Sequence, residues 1–367
     1  MFEYYNESDK ELLKHTEKLN LLGDIDPFAL NKSEKIENYE VHKPTADNVF
    51  LHEAAIIEFK GVLFASWYNC EKHELKGRTP IRGKRSKDGG KTWSDLEIIA
   101  DDPSGKILYC PPVYGIDDGK LYMLINEMVG PDLIHALDLY VLNETTDRFE
   151  MLWSRPLPFK LNTNVYKLKN GKLLLPGRIA QLDGFPNTPA VLISDSGKID
   201  ADWRLVKIAD NGDLPNGKKL IHPELSAIIN GEKVYIFSRN DENSVPLLYL
   251  STDNGEMWSS IISHDIPFSN SKIYSGTLSN GRNYVIGNIF PRRPRLALLM
   301  TEPHSMIFST GFMLQDGPSI DGYNGKQWSY PVAHEANGKL YVIYTAESDS
   351  FGFSRGAVLS VVPIDLK

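Results

Sequence analysis

The sequence has little cysteine. Only Cys70 and Cys110 occur in 367 residues, too few for the disulfide framework that staples small secreted domains. Two partly buried free thiols are expected instead. Long apolar runs are missing too, so no segment reads as a membrane-spanning helix. The opening MFEYYNESDKELLKHTEKLN lacks the apolar centre of a secretory leader. A cytoplasmic protein is expected, or a secreted one whose leader has been removed, with no membrane partner. Basic excess is absent: the net charge is −8, which argues against a nucleic-acid partner. Cys-x-x-Cys, His-Glu-x-x-His and glycine-rich phosphate motifs do not occur. Neither a metal nor another cofactor is expected. The remaining composition, 41% hydrophobic and 24% charged, is ordinary for a soluble globular chain.

What is present is a repeat. The stretch HPELSAIINGEKVYIFSRN, His222 to Asn240, holds two apolar strand-like runs around Asn230-Gly231. Asn-Gly between β-rich runs is a strong hairpin signal, because both turn residues must accept positive φ. Similar turns recur at Gly61, Gly119, Gly171, Gly231, Gly281 and Gly338, spaced by 58, 52, 60, 50 and 57 residues. A period near 50 with three or four short strands per unit is the mark of a β-propeller. The fold class predicted is all-β: a six-bladed β-propeller with a short N-terminal helical extension. The extension is residues 1–35 and the propeller residues 36–367. Leu12, Leu13, Leu19 and Leu22 have helix-like spacing, so Asp9 to Leu22 is expected to pack as a helix on the outside. The sixth unit lacks a strand, which Glu37 to His42 can supply, tying the two ends together.

Between the third and fourth strands of the first unit lies Ser86-Lys87-Asp88-Gly89-Gly90-Lys91-Thr92-Trp93. This is an Asp-box, Ser-x-Asp-x-Gly-x-Thr-Trp. Its aspartate can accept turn amides, its glycine can take the left-handed conformation, and its tryptophan can wedge between strands. A second copy runs from Ser251 to Trp258. A decayed one is Ser194-Asp195-Ser196-Gly197 with Trp203. These boxes are read as structural, on the face away from any site.

Chemistry is expected where first strands begin and second strands end, since these lie on one rim. Unit one places His52, Glu53, Asn69, Glu71 and Glu74 there, and unit two Tyr109, Asn126 and Glu127. Unit three adds Asn164, Tyr166 and Arg178, and unit four His222, Glu224, Arg239 and Asn240. Tyr274, Asn288, Arg292 and Arg293 follow from unit five, and Tyr330 and Glu347 from unit six. Paired carboxylates among arginines and tyrosines suit glycoside chemistry on an acidic sugar.

The two Asp-boxes, the decayed third and the six repeats resemble the sialidase (neuraminidase) superfamily of six-bladed propellers, over about residues 50 to 365. That resemblance implies three arginines gripping a sugar carboxylate, a tyrosine nucleophile activated by a glutamate, and an acid/base aspartate. HPELSAIINGEKVYIFSRN looks like the segment carrying the glutamate and second arginine, giving Glu224 and Arg239. NGRNYVIGNIFPRRPRLALLMT looks like the third-arginine segment, giving Arg293 or Arg295, with Arg292 behind them. WSYPVAHEANGKLYVIYTAE looks like the tyrosine segment, giving Tyr330. The acid/base place falls in Asn69-Cys70-Glu71-Lys72-His73-Glu74, so Glu71 or Glu74 would replace the aspartate. Arg178, Asn69, Asn126 and Asn288 are further candidates for sugar contacts. The family's first arginine, in a Phe/Tyr-Arg-Ile-Pro motif, has no counterpart: the place reads Val49-Phe50-Leu51-His52-Glu53. A histidine there is similar to propeller enzymes acting on rhamnose–glucuronate linkages. The expected function is therefore exo-glycosidase action on a terminal acidic sugar of a glycan. The alternatives are a lyase using His52 or Tyr330, and a glycan-binding propeller without catalysis.

Overall fold

The computed structural model describes residues 5–130, 133–180, 187–209, 212–241, 245–289, 293–317, 326–348, 350 and 354–366. Among them the only helix is Glu7–Lys14, and all other regular structure is β. The strands form a propeller arrangement of antiparallel meanders. In the first repeat Phe50–Phe59, Val62–Cys70, Ile81–Ser86 and Glu97–Ala100 pair in sequence order. The turn glycines join first to second strands in all six repeats, with φ between +66° and +87°. That left-handed conformation is open to glycine at no steric cost.

Four blades stand as separate sheets of four or five strands. The first and sixth repeats do not make separate sheets, as their spacing had suggested. They merge into one eight-stranded sheet. The junction is a single parallel pair, Arg355 with Phe50, secured by the Arg355 amide on the Val49 carbonyl at 2.9 Å. Closure of the ring brings these edges within bonding distance, and pairing removes an open edge.

Apolar side chains fill the gaps between sheets. Ile57 and Phe64 share one cluster with Tyr114 and Tyr140, and Leu174 and Ile193 share another with Ala227 and Ile236. Inner strands are therefore covered on both faces, and Leu173–Ile179 is buried throughout.

The N-terminal segment departs from the short helix expected over Asp9 to Leu22. Asn6 and Asp9 form a capping box, each side chain accepting the other's amide at 2.9 Å. The helix stops at Lys14, and Glu17–Leu19 pairs in parallel with Ile262–His264. An outer sheet edge offers unmet backbone groups, and meeting them outweighs weak helical preference. Leu12 and Leu21 are fully buried against the blades. Glu37–His42 pairs antiparallel with Ser354–Pro363, the expected tie between the ends.

The Asp-boxes have the expected internal bonding. Asp88 accepts the Thr92 amide at 2.9 Å, and the Ser86 hydroxyl accepts the Gly90 amide at 2.9 Å. Asp253 and Ser251 repeat this with Met257 and Gly255. In the decayed box, Asp195 pairs instead with Arg204 and Lys172. Trp93 and Trp258 are only half-buried, not enclosed as expected, because each box sits on the rim of its sheet. Register fixes which rim: Ile81 lies opposite Tyr68 and Ser86 opposite Leu63. The box thus leaves from the end of the sheet remote from His52 and Cys70.

Candidate functional site

Three first strands carry one extra residue at the same place. The register slips between His52 and Ala55, between Tyr109 and Pro112, and between Ser329 and Val332. Each is a β-bulge, which bends a strand and re-aims a side chain. Glu53, Cys110 and Tyr330 occupy the bulges. Glu53 and Tyr330 are held at φ +47° and +58°, a region non-glycine residues rarely adopt and one that clusters at functional sites.

Around Tyr330 the blades converge. Arg239 follows the strand Lys233–Ser238, and its amide bonds the Glu224 carbonyl at 2.9 Å. This fixes the two residues side by side. Arg239 Nη1 donates to Glu224 Oε2 at 2.8 Å and to the Tyr330 hydroxyl at 2.8 Å. Asp241 Oδ2 lies 3.7 Å from Arg239 Nη2 and takes His222 Nδ1 at 2.7 Å. The Arg293 guanidinium stands 5.5 Å from the centre of the Tyr330 ring. On the same ring His52 packs at 4.0 Å between centroids. His52 also meets Thr345 Oγ1 at 2.9 Å and Arg355 at 3.3 Å. Lys272 Nζ donates to Glu53 Oε2 at 2.9 Å and lies 5.7 Å from the Tyr330 ring centre.

Burial and charge set the protonation states. Burial works against a charged Glu224, yet Arg239, Lys272 and Arg178 outweigh it and hold its carboxyl below the usual range. Burial likewise opposes charge on Asp241, but the His222 hydrogen bond and Arg239 bring it down to about 2. Burial drives His52 well below its ordinary value, helped by Arg355, Arg293, Lys272 and Arg239, so it is neutral at pH 7. The Tyr330 hydroxyl is pushed up by burial and by Glu224, against the pull of Arg239 and Arg293. Its phenol is protonated at neutral pH and needs a base to become a nucleophile.

The sequence candidates separate. Glu224, Arg239, Tyr330, His52, Arg293 and the buried Arg178 come together. Glu74 reaches in: its Oε1 accepts the Tyr68 hydroxyl at 3.2 Å, and Tyr68 packs edge-on against His52. Glu71 does not; its carboxylate folds back over Gly77 in its own loop. Arg295 is turned away, onto Asp316 at 3.3 Å and the Phe28 carbonyl at 2.9 Å. Alternation alone would put residues two apart on one face; Arg293 lies in the turn before the strand that begins at Arg295, so the two part company there. Arg292 lies outside the described residues. The three asparagines brace backbone. Asn69 donates to the Phe50 carbonyl, Asn126 to that of Phe159 and Asn288 to that of Trp328, at 3.1, 2.8 and 2.7 Å.

The family model for the BNR repeat-like domain matches residues 61–342. The chain belongs to that BNR repeat-like family. Several proteins of known structure resemble it in fold at low identity. A Dyadobacter fermentans protein described as of unknown function superposes with TM-score 0.70 at 14% identity, over 90% of this chain and 100% of that one. Trypanosoma rangeli sialidase in complex with sialic acid gives 0.68 at 15% identity, over 92% of this chain and 60% of that one. The NanB sialidase of Streptococcus pneumoniae gives 0.65 at 13%, over 88% and 70%. This BNR repeat-like chain thus spans about three fifths of the trypanosomal enzyme. No curated protein matches in sequence.

Site residues that sequence reading missed are Lys272, Arg355 and Asp241, and Glu53 was placed on the rim without a role. A signal existed for two of them. Glu53, Cys110, Glu224, Lys272 and Tyr330 all lie seven to nine residues before a turn glycine. Counting back from the repeat would have put Glu53 and Lys272 beside Tyr330. Arg355 had no such signal, since it enters from the third strand of its unit.

Proposed function

We propose that this chain is a six-bladed propeller acting as an exo-glycosidase of sialidase type, releasing a terminal acidic sugar from a glycan. The eight-stranded sheet counts as blades one and six, and residues 36–367 make the propeller with residues 1–35 wrapped on it. One observation carries the functional reading: a single guanidinium, Arg239, bonds both the Glu224 carboxylate and the Tyr330 hydroxyl. A neutral phenol suits an anionic substrate, because it adds no charge repulsion. In the first step the Tyr330 oxygen attacks the anomeric carbon and its proton passes to Glu224. The bond to the leaving oxygen breaks, and Glu74 protonates that oxygen. Water, deprotonated by the Glu74 carboxylate, then attacks the same carbon and frees Tyr330, which recovers its proton from Glu224. Arg239 and Arg293 bind the acidic group.

A second reading has support in His52. It is neutral, buried and packed on Tyr330, as a base removing the proton beside a uronate carboxylate would be. The test is incubation with sialyl, rhamnosyl and uronyl oligosaccharides. Hydrolysis releases a saturated monosaccharide, and Tyr330→Phe abolishes it. An unsaturated uronate absorbing in the ultraviolet would overturn hydrolysis in favour of elimination. Release of nothing from any substrate would leave a binding propeller.

A further inference from the structure

Lys272 is among the largest fully buried side chains of the molecule, at 1% exposure. Burying an ammonium is costly unless it is paired, and one partner satisfies only one of its three N–H donors. That partner is Glu53 Oε2 at 2.9 Å, and Lys272 makes no other hydrogen bond among the described residues. Glu53 is itself buried, sits in the bulge and carries the left-handed φ of +47°. Its second oxygen faces Cys110 Sγ at 3.7 Å, a weak donor. Strained backbone therefore positions a carboxylate whose main contact is the Lys272 ammonium.

The pair lies beside the site, buried under the Tyr330 ring. Lys272 Nζ lies 5.7 Å from the centre of the Tyr330 ring, and Arg293 stands 5.5 Å from the same ring. Arg239 is bonded to the hydroxyl. Three cations from three segments thus surround one phenol and the buried Arg178 adds a fourth beside Glu224, with Glu53, Glu224 and Asp241 as the carboxylates in contact with them. The excess is positive in a chain whose net charge is −8. Such concentration of one sign in a cleft selects the opposite sign in a ligand.

We propose that Lys272 binds the carboxylate of the sugar, and that Glu53 is a positioning residue aiming the ammonium at it. The inference rests on the acidic-sugar reading above. Lys272 supplies a donor that the Leu51–Glu53 stretch lacks, since the chain has no arginine there. Because Glu53 competes with the ligand for the same ammonium, removing its charge strengthens the grip.

Calorimetric titration of the full chain tests this, with N-acetylneuraminic, glucuronic and galacturonic acids and their methyl esters as probes. Wild type is expected to bind one of the acids. Lys272→Met should weaken that acid about tenfold or more, the size of a lost hydrogen bond to a charged group, and leave its methyl ester unchanged. Glu53→Gln should keep or tighten acid binding. If Lys272→Met fails to fold, the Glu53→Gln/Lys272→Met double variant, which leaves no uncompensated charge, decides with the same expected loss. Equal weakening of acid and ester, or no weakening, overturns the inference and leaves the functional reading standing. Binding of none of the three acids by wild type overturns both.

Discussion

At the scale of single residues, the site depends on one shared guanidinium. Glu224→Gln keeps the shape of the side chain and removes the base. It should lower kcat by about 10²–10⁴ while substrate binding, followed by calorimetry, changes little. Arg239→Ala should weaken an acidic substrate far more than its methyl ester; equal loss for both would mean that Arg239 only supports the fold. A different carboxylate, Asp138, is fully buried on the strand Leu133–Asn143. Burial, with Glu127 adding to it, raises its carboxyl to about 7. A carboxyl whose folded pKa is raised favours the fold at low pH and loses that contribution as pH climbs toward 7. Asp138→Asn should therefore stabilise the protein at pH 8 by roughly 1–3 kcal/mol, and less at pH 5. Urea denaturation at the two values measures the difference.

At the scale of elements, the repeat is held by local devices and by braces between blades. Trp93 donates its indole N–H to the Gly90 carbonyl at 3.0 Å inside the box. Gly90 cannot carry a Cβ without colliding with Leu359 of the last strand, so the box also packs the seam. Both tryptophans are half-buried. Their truncation to Ala should cost less than a core aromatic, about 1–3 kcal/mol, with substrate binding preserved. Loss of binding without loss of stability would reverse the assignment of faces. Asn126 acts as a peptide mimic across a blade boundary. It donates to the Phe159 carbonyl and accepts the Leu161 amide, both at 2.8 Å. Asn126→Ala leaves both groups unmet and should cost about 1–3 kcal/mol, read from the shift of the melting transition.

At the scale of the whole molecule, the N-terminal segment works as a strap. Leu12 and Leu21 fill gaps in two different clusters, and Glu37–His42 covers the edge of Ser354–Pro363. Leu21→Ala should destabilise by about 2–5 kcal/mol, a cost no loosely attached tail would show. Acid should weaken the whole propeller. Burial lowers His42 to about 4 and His264 to about 3, and His52 far down. A histidine with a lowered folded pKa takes up protons mainly on unfolding, so stability falls as pH drops below about 6.5. Asp138 opposes this trend below pH 7, but three groups outweigh one. The expected net slope between pH 6.5 and pH 4.5 is on the order of 1–3 kcal/mol per pH unit. His264→Phe should flatten it in a series of urea melts.

The sequence alone determined the repeat. Turn glycines at steady spacing, alternating apolar runs and Asp-boxes are local signals, because φ preference and side-chain alternation act within a few residues. For the same reason Glu224, Arg239 and Tyr330 could be marked from their places in the repeat. Tertiary structure decided the rest. Only ring closure joins Arg355 to Phe50 and merges the first and last repeats into one sheet. Only the bulges turn Glu53 and Tyr330 toward a common centre. Lys272 reads in sequence as an ordinary surface lysine after a serine-rich turn; the contact that buries it comes from Glu53, 219 residues away. Likewise, Arg293 and Arg295 are equal candidates along the chain, and only the contacts of Arg295 with Phe28 and Asp316, against the approach of Arg293 to the Tyr330 ring, separate them. Such choices depend on which distant groups a side chain meets, and that is set by packing of the whole ring.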